Sequence, residues 1–119
     1  MSYIKERIQS FKHALRGIQA LFRGTPNARV QLVAAVIAII LGRMFHISSG
    51  EWLAIAIVIG LVLAMEAINT ALEILADYAS KQEIYPAIRN AKDIAAAGVL
   101  IAALIAAAVG AIIFLPKIF

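Results

Sequence analysis

Apolar residues recur along this chain in four blocks, and polar residues mark where each block begins and ends. Ile4, Ile8, Phe11, Leu15, Ile18 and Phe22 follow one another at steps of three and four, the spacing of one helical face. Lys5, Lys12, Arg16 and Arg23 supply the polar side. Residues 1–24 therefore predict an amphipathic helix lying in a bilayer interface with its basic groups toward anionic head groups. Packing of that face on the rest of the protein is the bland alternative, and the two are compatible. Gly24-Thr25-Pro26-Asn27 interrupts the pattern, with Gly24 as a helix end and Thr25-Pro26 as an N-cap and first helical position. A second helix is predicted over 28–46. Its centre, Leu32 to Leu41, is continuously apolar between Gln31 and Arg43, and Arg43 can snorkel.

Ser48 followed three residues later by Glu51 has the form of a capping box and predicts the start of a third helix, over 51–79. Trp52 stands where an interfacial aromatic belongs. That helix is longer than a bilayer core requires, so its polar end should approach or pass the interface. Residues 80–91 are polar, contain Pro86 and read as a loop, with Asn90 as a cap for a last helix over 92–115. Within it Gly98, Ala102, Ala106 and Gly110 form a ridge of small residues that lets another helix approach closely. Pro116 is expected to end it.

Composition places these helices in a membrane. Of 119 residues, 63% are hydrophobic and the mean hydropathy is +0.91, too apolar for an ordinary soluble domain. There is no cysteine, which excludes disulfides and cysteine-based metal or nucleophile chemistry. No cleavable signal peptide is expected, because the first strongly apolar run starts late, near Val30. The fold class is an all-α membrane protein of one domain: an interfacial helix plus three transmembrane helices. The net charge of +4 is unevenly placed. Lys5, Arg7, Lys12, Arg16, Arg23 and Arg29 precede the first span, and Lys81, Arg89 and Lys92 flank the second loop; Arg43 and Lys117 stand alone on the other side. The positive-inside rule then puts the N-terminus and the 80–91 loop in the cytoplasm and the C-terminus outside. Basic residues beside apolar stretches fit a membrane surface better than nucleic acid.

Against that background one stretch stands out. Glu66, Glu73 and Asp77 fall within roughly 40° of each other on a helix, with Asn69 about 60° to one side. A polar stripe on an otherwise apolar span is expensive and marks function by default. Lys92-Asp93 begins the next span on the same side of the membrane. Carboxylates can act as a general base or hold Mg²⁺, and a lysine can neutralise phosphate, so the parts needed for phosphoryl transfer are present. A Walker-A loop is not.

The block Glu66-Ala67-Ile68-Asn69-Thr70-Ala71-Leu72-Glu73, then Asp77, then Ala91-Lys92-Asp93-Ile94-Ala95-Ala96-Ala97-Gly98-Val99, resembles the small bacterial integral-membrane diacylglycerol kinase family, which includes undecaprenol kinases. The likeness covers nearly the whole chain; Phe11, Ala14 and Gly17 match its N-terminal pattern more weakly. It implies a homotrimer with shared sites at the cytoplasmic face of the bacterial inner membrane, and transfer of the γ-phosphate of ATP, with Mg²⁺, to a lipid alcohol. It implies Glu66 as general base, Asn69 as support for the catalytic geometry and Glu73 as the metal ligand. It implies that Lys92 meets the ATP phosphates and that Asp77 and Asp93 help hold the nucleotide. The Asn69-Thr70-Ala71 block and Pro116 favour the undecaprenol branch. One position departs: the family usually has a glutamate two residues before the asparagine matched by Asn27, and here Thr25 stands there. A neutral hydroxyl is a poorer Mg²⁺ ligand than a carboxylate.

Two other classes remain open from the residues alone. A small oligomeric proton-coupled transporter would also place a glutamate in a membrane, although a mid-span position would suit it better. A non-catalytic membrane subunit would tolerate Glu66→Gln. His13, His46 and Tyr85 read as interfacial residues, with Tyr85 also able to stack on a nucleotide.

Overall fold

The computed structural model describes residues 2–81, 83 and 85–119. Four helices follow one another: α1 (Ser2–Gly24), α2 (Pro26–Met44), α3 (Ser49–Ser80) and α4 (Pro86–Ile118). Among the described residues there is no strand. The last three helices are each long and apolar enough to cross a membrane, so the expected all-α membrane class holds.

Local chemistry explains the helix starts. At Ser48 the side chain accepts from the Glu51 amide (3.2 Å) and the Glu51 carboxylate accepts from the Ser48 amide (2.9 Å), the reciprocal pairing read from the sequence. Thr25 precedes α2 in an extended conformation with Pro26 in the first turn, but its side chain makes no capping bond. Its hydroxyl is thus not consumed by the helix end. Gly24 ends α1 without a left-handed turn; the left-handed positions are His46 (φ 50) and Lys81 (φ 53).

Helix α4 differs from expectation at both ends. It begins at Pro86, not at 92, with Tyr85 as its N-cap, so Asn90 lies inside it. A proline in the first turn loses no intrahelical bond, and residues 86–91, with Arg89 and Asn90 as their polar members, form the part of a 33-residue helix that exceeds a bilayer core of about 30 Å. At the other end α4 passes through Pro116 to Ile118. The proline lacks one backbone N–H, and the helix continues for two residues beyond it.

Helices α3 and α4 form an antiparallel hairpin clamped at both ends by ion pairs. Lys117 reaches Glu51 at 2.9 Å and Lys92 reaches Asp77 at 2.8 Å. Both pairs are partly exposed and each is worth about 0–1 kcal/mol; they set register more than stability. A buried cluster of Ile47, Ile55, Ile113 and Phe114 fills the Glu51–Lys117 end. Helix α2 adds only Ala28, Ala35 and Gly42 as buried residues, a seven-residue repeat of small side chains. Helix α1 buries Leu21 alone, and Ile4, Ile8, Phe11, Leu15 and Ile18 stay more than half exposed or nearly so. The molecule measures 52 × 47 × 21 Å. The hairpin accounts for the first dimension, and the second requires a helix lying across the spans rather than along them. An exposed apolar face on such a helix suits a lipid interface.

Two glycines test the packing. A Cβ on Gly42 would sit 2.6 Å from Cη2 of Trp52 and 3.0 Å from Cδ1 of Ile47. A rigid indole must move, so Gly42→Ala is expected to destabilise the protein by about 1–3 kcal/mol. At Gly98 the added atom would meet only the terminal methyl of Met65, at 2.6 Å. That flexible end can rotate, so Gly98→Ala is expected to change stability by less than about 0.5 kcal/mol. Unfolding of both variants in detergent micelles checks the contrast.

Candidate active site

The polar stripe of α3 faces inward at the end of the bundle opposite the Ile113–Phe114 cluster. Glu66 is 2% exposed and Asn69 7%, unusual depths for such groups. Glu66 is held on both carboxylate oxygens. Gln31 Nε2 of α2 donates to Oε1 at 2.9 Å, and Thr70 Oγ1, one turn on in α3, donates to Oε2 at 3.3 Å. Asn69 Nδ2 donates to Glu73 Oε1 at 3.0 Å. The buried Glu66 carboxylate and the half-buried Glu73 carboxylate each receive at least one donor, as burial of such a group demands.

Among the described residues, two buried side-chain oxygens lack a partner: Gln31 Oε1 and Asn69 Oδ1. Unsatisfied buried acceptors are costly, and Asn69 lies where a bound molecule or ion could satisfy it.

Glu66, Asn69, Thr70, Glu73 and Asp77 line one open cleft of about 470 Å³ at the α1–α2 junction. Thr25 and Asn27 lie in its opposite wall. Beside it, an apolar cleft of about 380 Å³ separates the C-terminal half of α1 from α3 and is lined by Gly17, Ile18, Leu21, Ala67 and Ala71. Ala20, Thr70 and Ile74 belong to both, so the apolar cleft opens on the polar one at the Thr70 side of Glu66.

Lys92 and Asp93 sit elsewhere. They line a second polar cleft of about 420 Å³ with Ser80, Tyr85 and Arg89. Asp77, bonded to Lys92, is the wall that the two polar clefts share. Within one chain, therefore, the six residues singled out by the sequence form two groups that meet only at Asp77. Tyr85 lies in the second group, and its hydroxyl donates to Glu83 at 2.7 Å. That bond raises the phenol above its ordinary range.

Sequence reasoning passed over Gln31. A signal existed: Gln31 falls three residues after Ala28 and four before Ala35, on the buried stripe of α2. Its polarity at a span boundary resembles an ordinary interfacial residue, and only packing shows that it meets Glu66.

Comparison with known proteins gives this arrangement a setting. A family model described as prokaryotic diacylglycerol kinase matches residues 12–114. An undecaprenol kinase from Bacillus subtilis is 36% identical over 110 residues, spanning 92% of this chain and 89% of that protein. A diacylglycerol kinase from Synechocystis is 32% identical over 109 residues, spanning 92% of this chain and 62% of that protein. No solved structure matches. With the polar stripe, the three spans and the ordered match running through nearly all of its length, the chain belongs to the prokaryotic diacylglycerol kinase family and is a membrane lipid kinase.

Proposed function

We infer that this kinase transfers the γ-phosphoryl group of ATP to a lipid hydroxyl at the cytoplasmic face of the bacterial inner membrane, and that Glu66 is its general base. The observation that carries this reading is the junction of the two clefts. An apolar chain lying between α1 and α3 would present its hydroxyl at Thr70, beside Glu66 Oε2. The hydroxyl oxygen attacks the γ-phosphorus, the bond from that phosphorus to the β–γ bridging oxygen breaks, and ADP leaves. The hydroxyl proton passes to the Glu66 carboxylate. Lys92 neutralises phosphate charge, and Asp77 and Asp93 hold Lys92 and the nucleotide's surroundings in place. Asn69 fixes Glu73 through its 3.0 Å bond.

The donor set fits Mg²⁺. Everything offered to the cleft is oxygen or amide, with Glu73 as the carboxylate ligand and the unpaired Asn69 Oδ1 beside it. Among the described residues no three His, Cys, Asp or Glu side chains converge as a metal site. Mg²⁺ is ordinarily held by one or two carboxylates, with phosphates and water completing its shell. When bound, the ion would supply positive charge to the transferring phosphates. Thr25 faces the same cleft with its hydroxyl free of capping duty. Thr25→Glu would add a carboxylate there. It is expected to lower the Mg²⁺ concentration giving half-maximal activity by about tenfold, as an added carboxylate ligand tightens a hard cation, read from a magnesium titration of lipid phosphorylation.

The separation of Glu66 from Lys92 supports a homotrimer whose sites draw on neighbouring copies. A base and a phosphate-binding lysine that line different clefts of one chain would be brought to one reaction directly if a neighbouring copy completed the site. The basic N-terminal segment and the 81–92 region support a cytoplasmic position for both.

The test is transfer of label from γ-labelled ATP with Mg²⁺ in mixed micelles, with undecaprenol and diacylglycerol offered separately. Labelled lipid is the expected result, and the better acceptor identifies the substrate. A folded, assembled protein that labels neither alcohol would overturn the reading.

A further inference from the structure

We propose that Gln31 is a positioning residue that decides which oxygen of Glu66 receives the substrate proton. The inference rests on the reading of Glu66 as general base, and it concerns a residue that the family likeness did not single out.

The two carboxylate oxygens are not equivalent. Oε1 accepts a short bond, 2.9 Å, from the Gln31 amide. A primary amide nitrogen only donates, so Oε1 is committed to a partner that cannot take a proton from it. Oε2 has the longer bond, 3.3 Å, to the Thr70 hydroxyl. A hydroxyl rotates and can donate or accept. It can release Oε2 to an incoming O–H and afterwards accept from the protonated oxygen.

The surroundings agree with this division. Thr70 lines the polar cleft together with Glu66, and also the apolar cleft beneath α1. Gln31 lines neither. It borders a different, apolar groove between α2, α3 and α4, next to Ala34 and Ala35. The Gln31 bond thus holds Oε1 on the side away from the polar cleft and leaves Oε2 on the side where Thr70 and the substrate would be.

Amide orientation is fixed by the same logic. Reversing it would set Gln31 Oε1 against a carboxylate oxygen, acceptor facing acceptor. Gln31 Oε1 remains buried and unpartnered among the described residues. Leaving a buried acceptor unsatisfied is costly, and the structure bears that cost to keep the N–H on Glu66. The bond also crosses from α2 to α3, so loss of the amide removes a restraint that nothing else on α2 supplies to Glu66.

Gln31→Met keeps length and packing but removes the donor. Gln31→Leu removes the donor with a branched side chain of similar volume. Gln31→His retains a ring N–H at similar reach. Lipid phosphorylation is measured for each alongside Glu66→Gln, with kcat and the KM for ATP determined separately, and thermal unfolding followed in the same micelles. Gln31→Met and Gln31→Leu are expected to lower kcat by about tenfold to a hundredfold, the effect of a misplaced reacting group. The KM for ATP should stay within about twofold, and Gln31→His should recover a substantial part of kcat. A purely structural tie would instead move the unfolding temperature and both kinetic constants together. The proposal is overturned by a folded Gln31→Met or Gln31→Leu enzyme within about twofold of wild-type kcat. A Gln31→His enzyme as slow as folded Gln31→Met overturns it too. If Gln31→Met does not fold, Gln31→Leu and Gln31→His decide. An active Glu66→Gln enzyme would remove the general base itself, whereas an inactive one beside fully active Gln31 variants would remove only the role of Gln31.

Discussion

Glu66→Gln is expected to lower kcat for lipid phosphorylation by about 10²–10⁴, the contribution of a positioned general base. The substitution changes one oxygen for an NH₂ group in a side chain that is 2% exposed. Packing is kept, but the group can no longer accept the hydroxyl proton. A neutral amide also loses part of the attraction for its two donors, Gln31 and Thr70. Since removing a buried charge relieves desolvation, the folded protein should be no less stable than the wild type. An inactive enzyme that unfolds at or above the wild-type temperature would therefore assign the loss to chemistry. An enzyme that keeps its rate would return Glu66 to a packing role and revive the non-catalytic reading.

Lys92→Met is the second large effect. The lysine lies 2.8 Å from Asp77 Oδ1. Replacing a cation that meets transferring phosphate should reduce kcat/KM by about 10²–10³, mostly through transition-state charge that goes unneutralised. Loss of the partly exposed ion pair should cost stability only about 0–1 kcal/mol. The variant also tests whether sites are shared. Co-assembly of Lys92→Met chains with Glu66→Gln chains brings an intact Glu66 beside an intact Lys92 in about a quarter of the sites, if each site takes one residue from each of two neighbours in a ring. Activity should then rise from near zero toward a quarter of the wild-type value in the mixture. Two inactive variants that stay inactive when mixed would mean that each chain builds its own site.

Family likeness and helical periodicity converge on the same residues because both read the same constraint. A carboxylate in a membrane span must face something polar. Glu66, Asn69, Glu73 and Asp77 share a face of α3 for reasons of spacing alone, and the structure finds all four on one cleft. The capping box at Ser48 and Glu51 was equally legible, since both partners lie within one turn. Residues 86–91 were not. Pro86 and the polar residues around it read as a loop, but a helix longer than the bilayer core can start at a proline and carry Arg89 and Asn90 on the part that projects beyond it.

The sequence by itself determined the helices, the three spans and the face on which α3 carries its polar groups, because these depend on intervals of three, four and about twenty residues within continuous stretches. Tertiary structure decided what each of those groups meets. It put Gln31, thirty-five residues away, against Glu66, turned Thr70 to the other oxygen, and joined an apolar cleft to a polar one at α1. It also set Lys92 and Glu66 in different clefts of one chain, although both mark the same end of the bundle. Such pairings depend on how helices rotate and slide against one another as their side chains interdigitate. No interval along the chain encodes that geometry.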